Sequence, residues 1–300
     1  MKLAFLISAH TDATHLARLI KALPQESHFF VHIDRKSDIT PFMPLADDPR
    51  VTFTRRRIDV TWGSFRQVEY QMELLETAMA SGEEYDYLIA LSGLDYPILP
   101  AQRLTAFFEQ DKGREWLQGI DITQQPEDSE VARLYRHHRY LACYGWRYGS
   151  LGSKMRVALR EISWALGRRK PLTFNAGGRT WRLHKGSSWW AITPQLATLA
   201  LDAWHNNREY VDYFRNSFGP DETFIHTLAF NTPEIAARCI HTEGEFVDLE
   251  QVTPLTYIHY KPEIKILTAA DYDTLIDSGK VFCRKTVTGV SDELMDLLER

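Results

Sequence analysis

Short apolar runs alternating with helical patterns fill the first half of the chain, and they constrain its fold more than any other feature. Lys2 to Ser8 reads as a strand, followed by a helix from Thr14 to Leu23 with Leu16, Leu19, Ile20 and Leu23 on one face. Phe29 to Ile33 and Val51 to Thr54 are further strands. Phe65 to Ala80 is a helix capped by Ser64, Tyr85 to Leu91 a fourth strand, Ala101 to Gln110 a helix and Glu115 to Ile122 a fifth strand. This alternation predicts an α/β fold with a mostly parallel central sheet flanked by helices. Ligands of such sheets bind beyond the carboxyl ends of the strands, which singles out Ala9 to Asp12, Asp34 to Asp38, Arg55 to Ser64 and Ser92 to Ile98.

The second half is less regular. Arg182 to Thr193 reads as extended, Gln195 to Trp204 and Thr223 to Phe230 as helices, and Val281 to Lys285 as a late strand. The 300 residues, 44% hydrophobic and 25% charged, supply a core and exclude a disordered or fibrous chain. No run approaches the roughly 18 apolar residues of a membrane span. The apolar start is short and meets His10-Thr11-Asp12, so it is a strand rather than a secretory signal. Cys143, Cys239 and Cys283 have neither disulfide-framework nor zinc-site spacing, which fits a reducing cytoplasm.

Charge is unevenly placed. Between Val131 and Lys185 there are thirteen basic residues and one acidic residue, Glu161, so a segment of +12 sits in a chain of net −5. Such a field implies an anionic partner: a phosphate, an anionic polysaccharide or a membrane surface. Nucleic acid is disfavoured, because the remainder is strongly acidic and carries no recognition motif.

Several short segments could carry chemistry. Gly219-Pro220-Asp221-Glu222 opens a helix; its carboxylates either complement the helix dipole or hold a general base in fixed geometry at the sheet's end. Lys185-Gly186-Ser187-Ser188-Trp189-Trp190 joins small residues to two indoles, which suits either a sugar ring or a core strand. Beyond the fourth strand, Ser92-Gly93-Leu94-Asp95-Tyr96 has one carboxylate where many nucleotide-sugar transferases have an Asp-x-Asp metal site. Asp271-Tyr272-Asp273, the literal Asp-x-Asp, falls in a helical stretch and reads as a decoy. No GxGxxG, GxxxxGK[ST], Gly-x-Ser-x-Gly or His-Glu-x-x-His is present. Arg284-Lys285 at a strand end is either an exposed basic pair or the counter-charge for a diphosphate.

Taken in order, His32-Ile33-Asp34-Arg35-Lys36-Ser37, Val60-Thr61-Trp62-Gly63-Ser64, Leu91 to Ile98, Gly219 to Glu222 and Phe282-Cys283-Arg284-Lys285 resemble one family. It is the core-2/I-branching N-acetylglucosaminyltransferase and peptide-xylosyltransferase family, glycosyltransferase family 14. The likeness runs from about Leu3 to Lys285 and is weak between Val131 and Arg179. It implies a GT-A-like fold, a UDP-sugar donor, inversion at the anomeric carbon and catalysis without a bound metal or other cofactor. The family's base glutamate falls on Glu222. Its diphosphate-binding lysine falls on Lys285, with Cys283 replacing the usual alanine. Its second diphosphate contact, an upstream arginine, has no clean match, and Lys261 and Lys265 are the nearest candidates.

The expectation is therefore a single catalytic domain over residues 1–300 with a basic insertion at about 131–180. It would move a sugar, N-acetylglucosamine first, from a UDP-sugar to a glycan or lipid-linked glycan hydroxyl in bacterial surface polysaccharide synthesis. UDP-xylose or another UDP-hexose as donor, or a non-catalytic glycan-binding protein, are the alternatives. Donor contacts are expected from Ala9, His10, Thr11, Asp34, Asp95, Arg284 and Lys285. Ser187, Ser188, Trp189, Trp190 and Asp221 would form the sugar or acceptor site. The paired cysteines and membrane anchor of animal members have no counterpart, which fits a cytoplasmic enzyme. Lys154 to Lys170 reads as an amphipathic helix with basic flanks and Trp164. It either packs on the core or docks the enzyme peripherally on an anionic inner membrane face.

Overall fold

The computed structural model describes residues 1–260 and 263–300. Its strands are β1 (Leu3–Ala9), β2 (His28–Ile33), β3 (Val51–Phe53), β4 (Tyr87–Ser92), β5 (Asp95–Pro97), β6 (Gln118–Asp121), β7 (Thr173–Ala176), β8 (Arg179–Arg182), β9 (His184–Lys185), β10 (Ala191–Ile192), β11 (Ile240–His241), β12 (Thr256–Ile258) and β13 (Phe282–Arg284). The helices that frame the site are α1 (Ala13–Ala22), α2 (Arg66–Met79), α3 (Ala101–Gln110), α4 (Glu130–Arg136), α5 (Leu151–Ala165), α6 (Pro194–Asn206), α7 (Arg208–Arg215) and α8 (Phe224–Phe230).

The central sheet has the order β10-β4-β1-β2-β3. β4, β1, β2 and β3 run parallel, and β10 closes one edge antiparallel to β4. Alternation of side chains along each strand divides the core in two. Ala4, Leu6, Phe30, Leu88 and Ala90 face α2, α6 and α8. Leu3, Phe5, Ile7, Phe29, Val31, Ile89 and Leu91 face α1, α3 and the C-terminal residues Leu294, Met295 and Leu298. A parallel strand covered on both faces has to be apolar throughout, which is why β1 reads as an unbroken apolar run.

The structure corrects several boundaries. Within Glu115 to Ile122, β6 does not join the central sheet; it pairs with β11 and β9 in a separate three-stranded sheet. Arg182 to Thr193 is broken by Gly186-Ser187-Ser188, so β9 and β10 serve different sheets. Asp271 lies in a capping box with Thr268 at a helix start, as the decoy reading expects.

The Lys154 to Lys170 helix instead spans Leu151–Ala165 and stops before Gly167 at φ 72°, a left-handed conformation that suits glycine. Its apolar residues are not packed on the core: Leu151 is 85% exposed, Ile162 56% and Leu166 66%. Two proposed headgroup contacts are engaged elsewhere. Lys170 is buried, donates to the Tyr213 carbonyl and lies over the Tyr213 ring. Trp164 stacks on His137 with ring centroids 4.2 Å apart, and Arg169 covers the indole at 3.3 Å.

Candidate active site

The carboxyl ends of β1, β2 and β4 open into a cavity of about 210 Å³. Ser8, Ala9 and His10 come from the end of β1, His32 and Asp34 from β2, and Ser92 from β4. Gln67 and Tyr70 of α2 form one side; Ser188, Trp189, Asp221, Glu222 and Arg284 form the other. This is where an open parallel sheet takes a ligand, because the strand ends leave a crevice between loops.

Glu222 ends a tight turn, Pro220–Glu222, entered through Gly219 at φ 46°. The Glu222 amide donates to the Gly219 carbonyl at 3.0 Å, and the Gly186 amide donates to the Glu222 carbonyl at 2.8 Å. A side chain at 186 would collide with the His226 ring and the Gln118 carbonyl, so this close approach requires glycine. Lys185, one residue earlier, places its ammonium 2.6 Å from the Glu222 carboxylate and 3.0 Å from the Gly186 carbonyl. The half-buried carboxylate is thereby held in one orientation against the cavity.

Asp221, beside it in the wall, is buried. One of its oxygens accepts from Ser188 Oγ at 2.6 Å and Gln67 Nε2 at 2.9 Å; the other has no partner among the described residues. Burial first, and the adjacent Glu222 charge second, push its carboxyl well above the usual carboxylate range. Asp221 therefore ties α2 to the Ser188 loop within the cavity wall.

Asp95 is fully buried and is not part of the cavity wall. Its carboxylate accepts from the Ser92 amide at 2.7 Å, Trp189 Nε1 at 2.9 Å and Arg284 Nη1 at 2.9 Å. β5 and β13 are antiparallel with Arg284 opposite Asp95, so sheet register itself makes the ion pair. Burial raises the Asp95 carboxyl, and Arg284 opposes that shift. Arg284 also lies 5.2 Å from the Trp189 ring centre. One buried carboxylate thus aims both an indole and a guanidinium at the cavity.

Of the expected residues, Ala9, His10, Asp34, Ser188, Trp189, Asp221, Glu222 and Arg284 converge here. Others do not. Trp190 is buried in the core, because consecutive residues of an extended segment face opposite ways. Ser187 is buried and donates to the Trp189 carbonyl. Thr11 is exposed outside the wall, and its neighbour Asp12 caps α1 and accepts from Thr288. Lys265 pairs with Asp271 at 2.5 Å, and Lys261 lies outside the described residues. Lys285 is half-buried beside Arg284, outside the wall but near enough for its charge to act on His10.

Gln67 and Tyr70 have no place in the site as read from sequence, and Trp62 and Lys185 enter it only within the segments Arg55 to Ser64 and Lys185 to Trp190. The available signals were a lysine beside a glycine in an extended segment, and polar residues in the first turns of the helix after Trp62-Gly63-Ser64.

Residues 3–275 match the family described as Branch: Core-2/I-Branching enzyme. The chain is similar to Xylosyltransferase oxt of Drosophila pseudoobscura pseudoobscura, 23% identical over 77% of this chain and 24% of that protein. It is also similar to Xylosyltransferase 2 of Rattus norvegicus, 25% identical over 78% of this chain and 25% of that protein. The chain thus spans about a quarter of the length of these relatives. Among solved structures, glucosyl-3-phosphoglycerate synthase from Mycobacterium tuberculosis, in complex with Mn2+, UDP and glucosyl-3-phosphoglycerate, aligns at a TM-score of 0.37. That alignment has 11% identity and covers 80% of this chain and 68% of the other. S. aureus TarS 1-349 in complex with UDP aligns at 0.29 with 13% identity, covering 40% and 35% of the two chains.

Proposed function

Since the chain belongs to the Core-2/I-branching enzyme family, we propose that it is an inverting glycosyltransferase, GT-A-like in fold, that uses a UDP-sugar. Glu222 takes the proton of an acceptor hydroxyl as that oxygen forms a bond to the sugar's anomeric carbon. The bond from that carbon to the diphosphate breaks, and UDP leaves with the electron pair toward Arg284 and Lys285. Asp34, Ala9 and His10 hold the uridine end, and Trp189 borders the sugar. The observation that carries this reading is the Glu222 carboxylate, fixed by Lys185 on the same cavity wall as Arg284.

N-acetylglucosamine is the first donor sugar to test. Xylose is the second, and the relatives named as xylosyltransferases favour it. The acceptor is a glycan hydroxyl, with bacterial surface polysaccharide as its class. The reaction is read as independent of metal, because among the described residues the hydrogen bonds of Asp95, the carboxylate at the usual Asp-x-Asp place, are with the Ser92 amide, Trp189 and Arg284.

Among the described residues no helix is long and apolar enough to cross a membrane. Peripheral docking is supported by the exposed Leu151, Met155, Ile162 and Leu166 of the α5 region, flanked by exposed Lys154, Arg168 and Arg169. Its occupant is an anionic lipid surface, where basic residues contribute about 1 kcal/mol each.

The test is release of UDP from UDP-N-acetylglucosamine and UDP-xylose, assayed with EDTA present. Glu222→Gln should lower turnover by roughly 10²–10⁴-fold with little change in UDP affinity. Near-normal turnover would remove Glu222 as the base, and loss in EDTA restored by Mn²⁺ would overturn metal independence.

A further inference from the structure

A second cavity, of about 150 Å³, adjoins the first through the Trp62 indole, which lines both. Its wall combines Arg139, Arg156 and Arg160 with Trp62, Val157 and Phe218. Arg139 follows α4 and lies over the Phe218 ring at 4.7 Å, while Phe218 meets Trp62 edge-on at 5.7 Å. Arg156 and Arg160 project from successive turns of α5.

These guanidiniums are poorly compensated. Among the described residues no carboxylate pairs with Arg139 or Arg156, and the buried Nε of Arg139 has no acceptor. Among the described residues Arg156 donates only to the Tyr144 carbonyl, and Arg160 has Glu161 as its one carboxylate partner. Burial, then the charges of Arg160 and Arg156, push Arg139 down to about 10. Three like charges gathered on an aromatic floor repel one another unless an anion joins them. Guanidinium forks match the oxygens of a phosphate group, and a cavity of this size admits one.

Tyr135 links this cavity to the base. Among the described residues its buried hydroxyl has no partner, and its ionisation is opposed by burial and by the Glu222 and Asp221 charges but favoured by Arg139.

We propose that the Arg139–Arg156–Arg160 cavity binds a phosphate group carried by a sugar acceptor, anchoring it beside the transfer site. The acceptor role rests on the glycosyltransferase reading above; the anion site itself does not.

The experiment is calorimetric titration with inorganic phosphate and with glucose 1-phosphate, with UDP saturating so that the donor cavity is filled. Wild-type protein should bind both, the ester more tightly, and should not bind glucose. Arg139→Gln with Arg156→Gln should weaken phosphate binding by about tenfold or more, with UDP affinity unchanged. If that double variant fails to fold, Arg156→Gln alone, on the half-exposed α5, should give the same loss in smaller measure. Absence of phosphate binding, or binding untouched by the variants, overturns the site. Ester binding no tighter than inorganic phosphate overturns the acceptor assignment. If UDP fails to bind, the donor reading falls, and phosphate titration without UDP still decides the arginine cavity.

Discussion

The ammonium of Lys185 lies 2.6 Å from the Glu222 carboxylate although the two residues belong to different elements, β9 and the turn before α8. Lys185→Met should lower turnover, because Glu222 loses the contact that fixes its direction. It should also destabilise the fold by about 1–3 kcal/mol, the cost of leaving a half-buried charge unpaired. Lys185→Met with Glu222→Gln should recover most of that stability without activity, since both charges are then gone. Thermal melts together with UDP-release assays check both halves.

Asp95→Asn should weaken UDP binding more than its burial outside the cavity suggests, because Trp189 and Arg284 both depend on that carboxylate. Stability should fall by about 3–5 kcal/mol, the range for breaking one side of a buried ion pair. Donor affinity from calorimetry is the deciding measurement, and an unchanged affinity would leave Asp95 with a purely structural role.

Acid should destabilise the protein through His32. Its Nε2 accepts the Ile58 amide at 2.8 Å, and burial pushes the ring down to about 4, with Asp34 opposing and Arg57 assisting. The folded pKa lies below the unfolded value of about 6.5, so the unfolded chain takes up the proton first. This contribution is complete above pH 6.5 and is lost as pH falls toward 4, at a cost of about 3 kcal/mol. His226, pushed down by burial to about 3, acts in the same direction. Melting temperatures from pH 7.5 to 4.5 should decline, and His32→Gln should flatten part of that decline.

Liposome co-sedimentation separates the two readings of α5. Anionic vesicles at low salt should retain the protein, and rising salt should release it. Leu151→Ser with Ile162→Ser should weaken retention, as should Arg168→Ala with Arg169→Ala. Lys170→Ala should leave it unchanged, since that side chain is turned inward onto Tyr213. Equal binding to neutral vesicles would remove the electrostatic part.

The parallel strands and the place of the cavity were legible because strands buried on both faces leave unbroken apolar runs, and their carboxyl ends can be counted off. The Gly-Pro-Asp-Glu turn marked a carboxylate at the cavity, and the choice of Glu222 over Asp221 came from the family resemblance. The role of Asp95 was not legible, since its partner Arg284 lies 189 residues away and meets it only through sheet register. Choosing between Trp189 and Trp190 needed the direction of one short segment. In α5, periodicity marked an apolar stripe without saying whether anything would cover it.

The antiparallel edge strand sets an order of assembly. β1, β2, β3 and β4 can pair as soon as residue 92 has been made, but β10, which covers the free edge of β4, arrives about a hundred residues later. During synthesis that edge offers unpaired backbone groups to any neighbouring nascent chain. Fragments ending between β4 and β10 will therefore be aggregation-prone, and a truncated expression product should continue past Ile192.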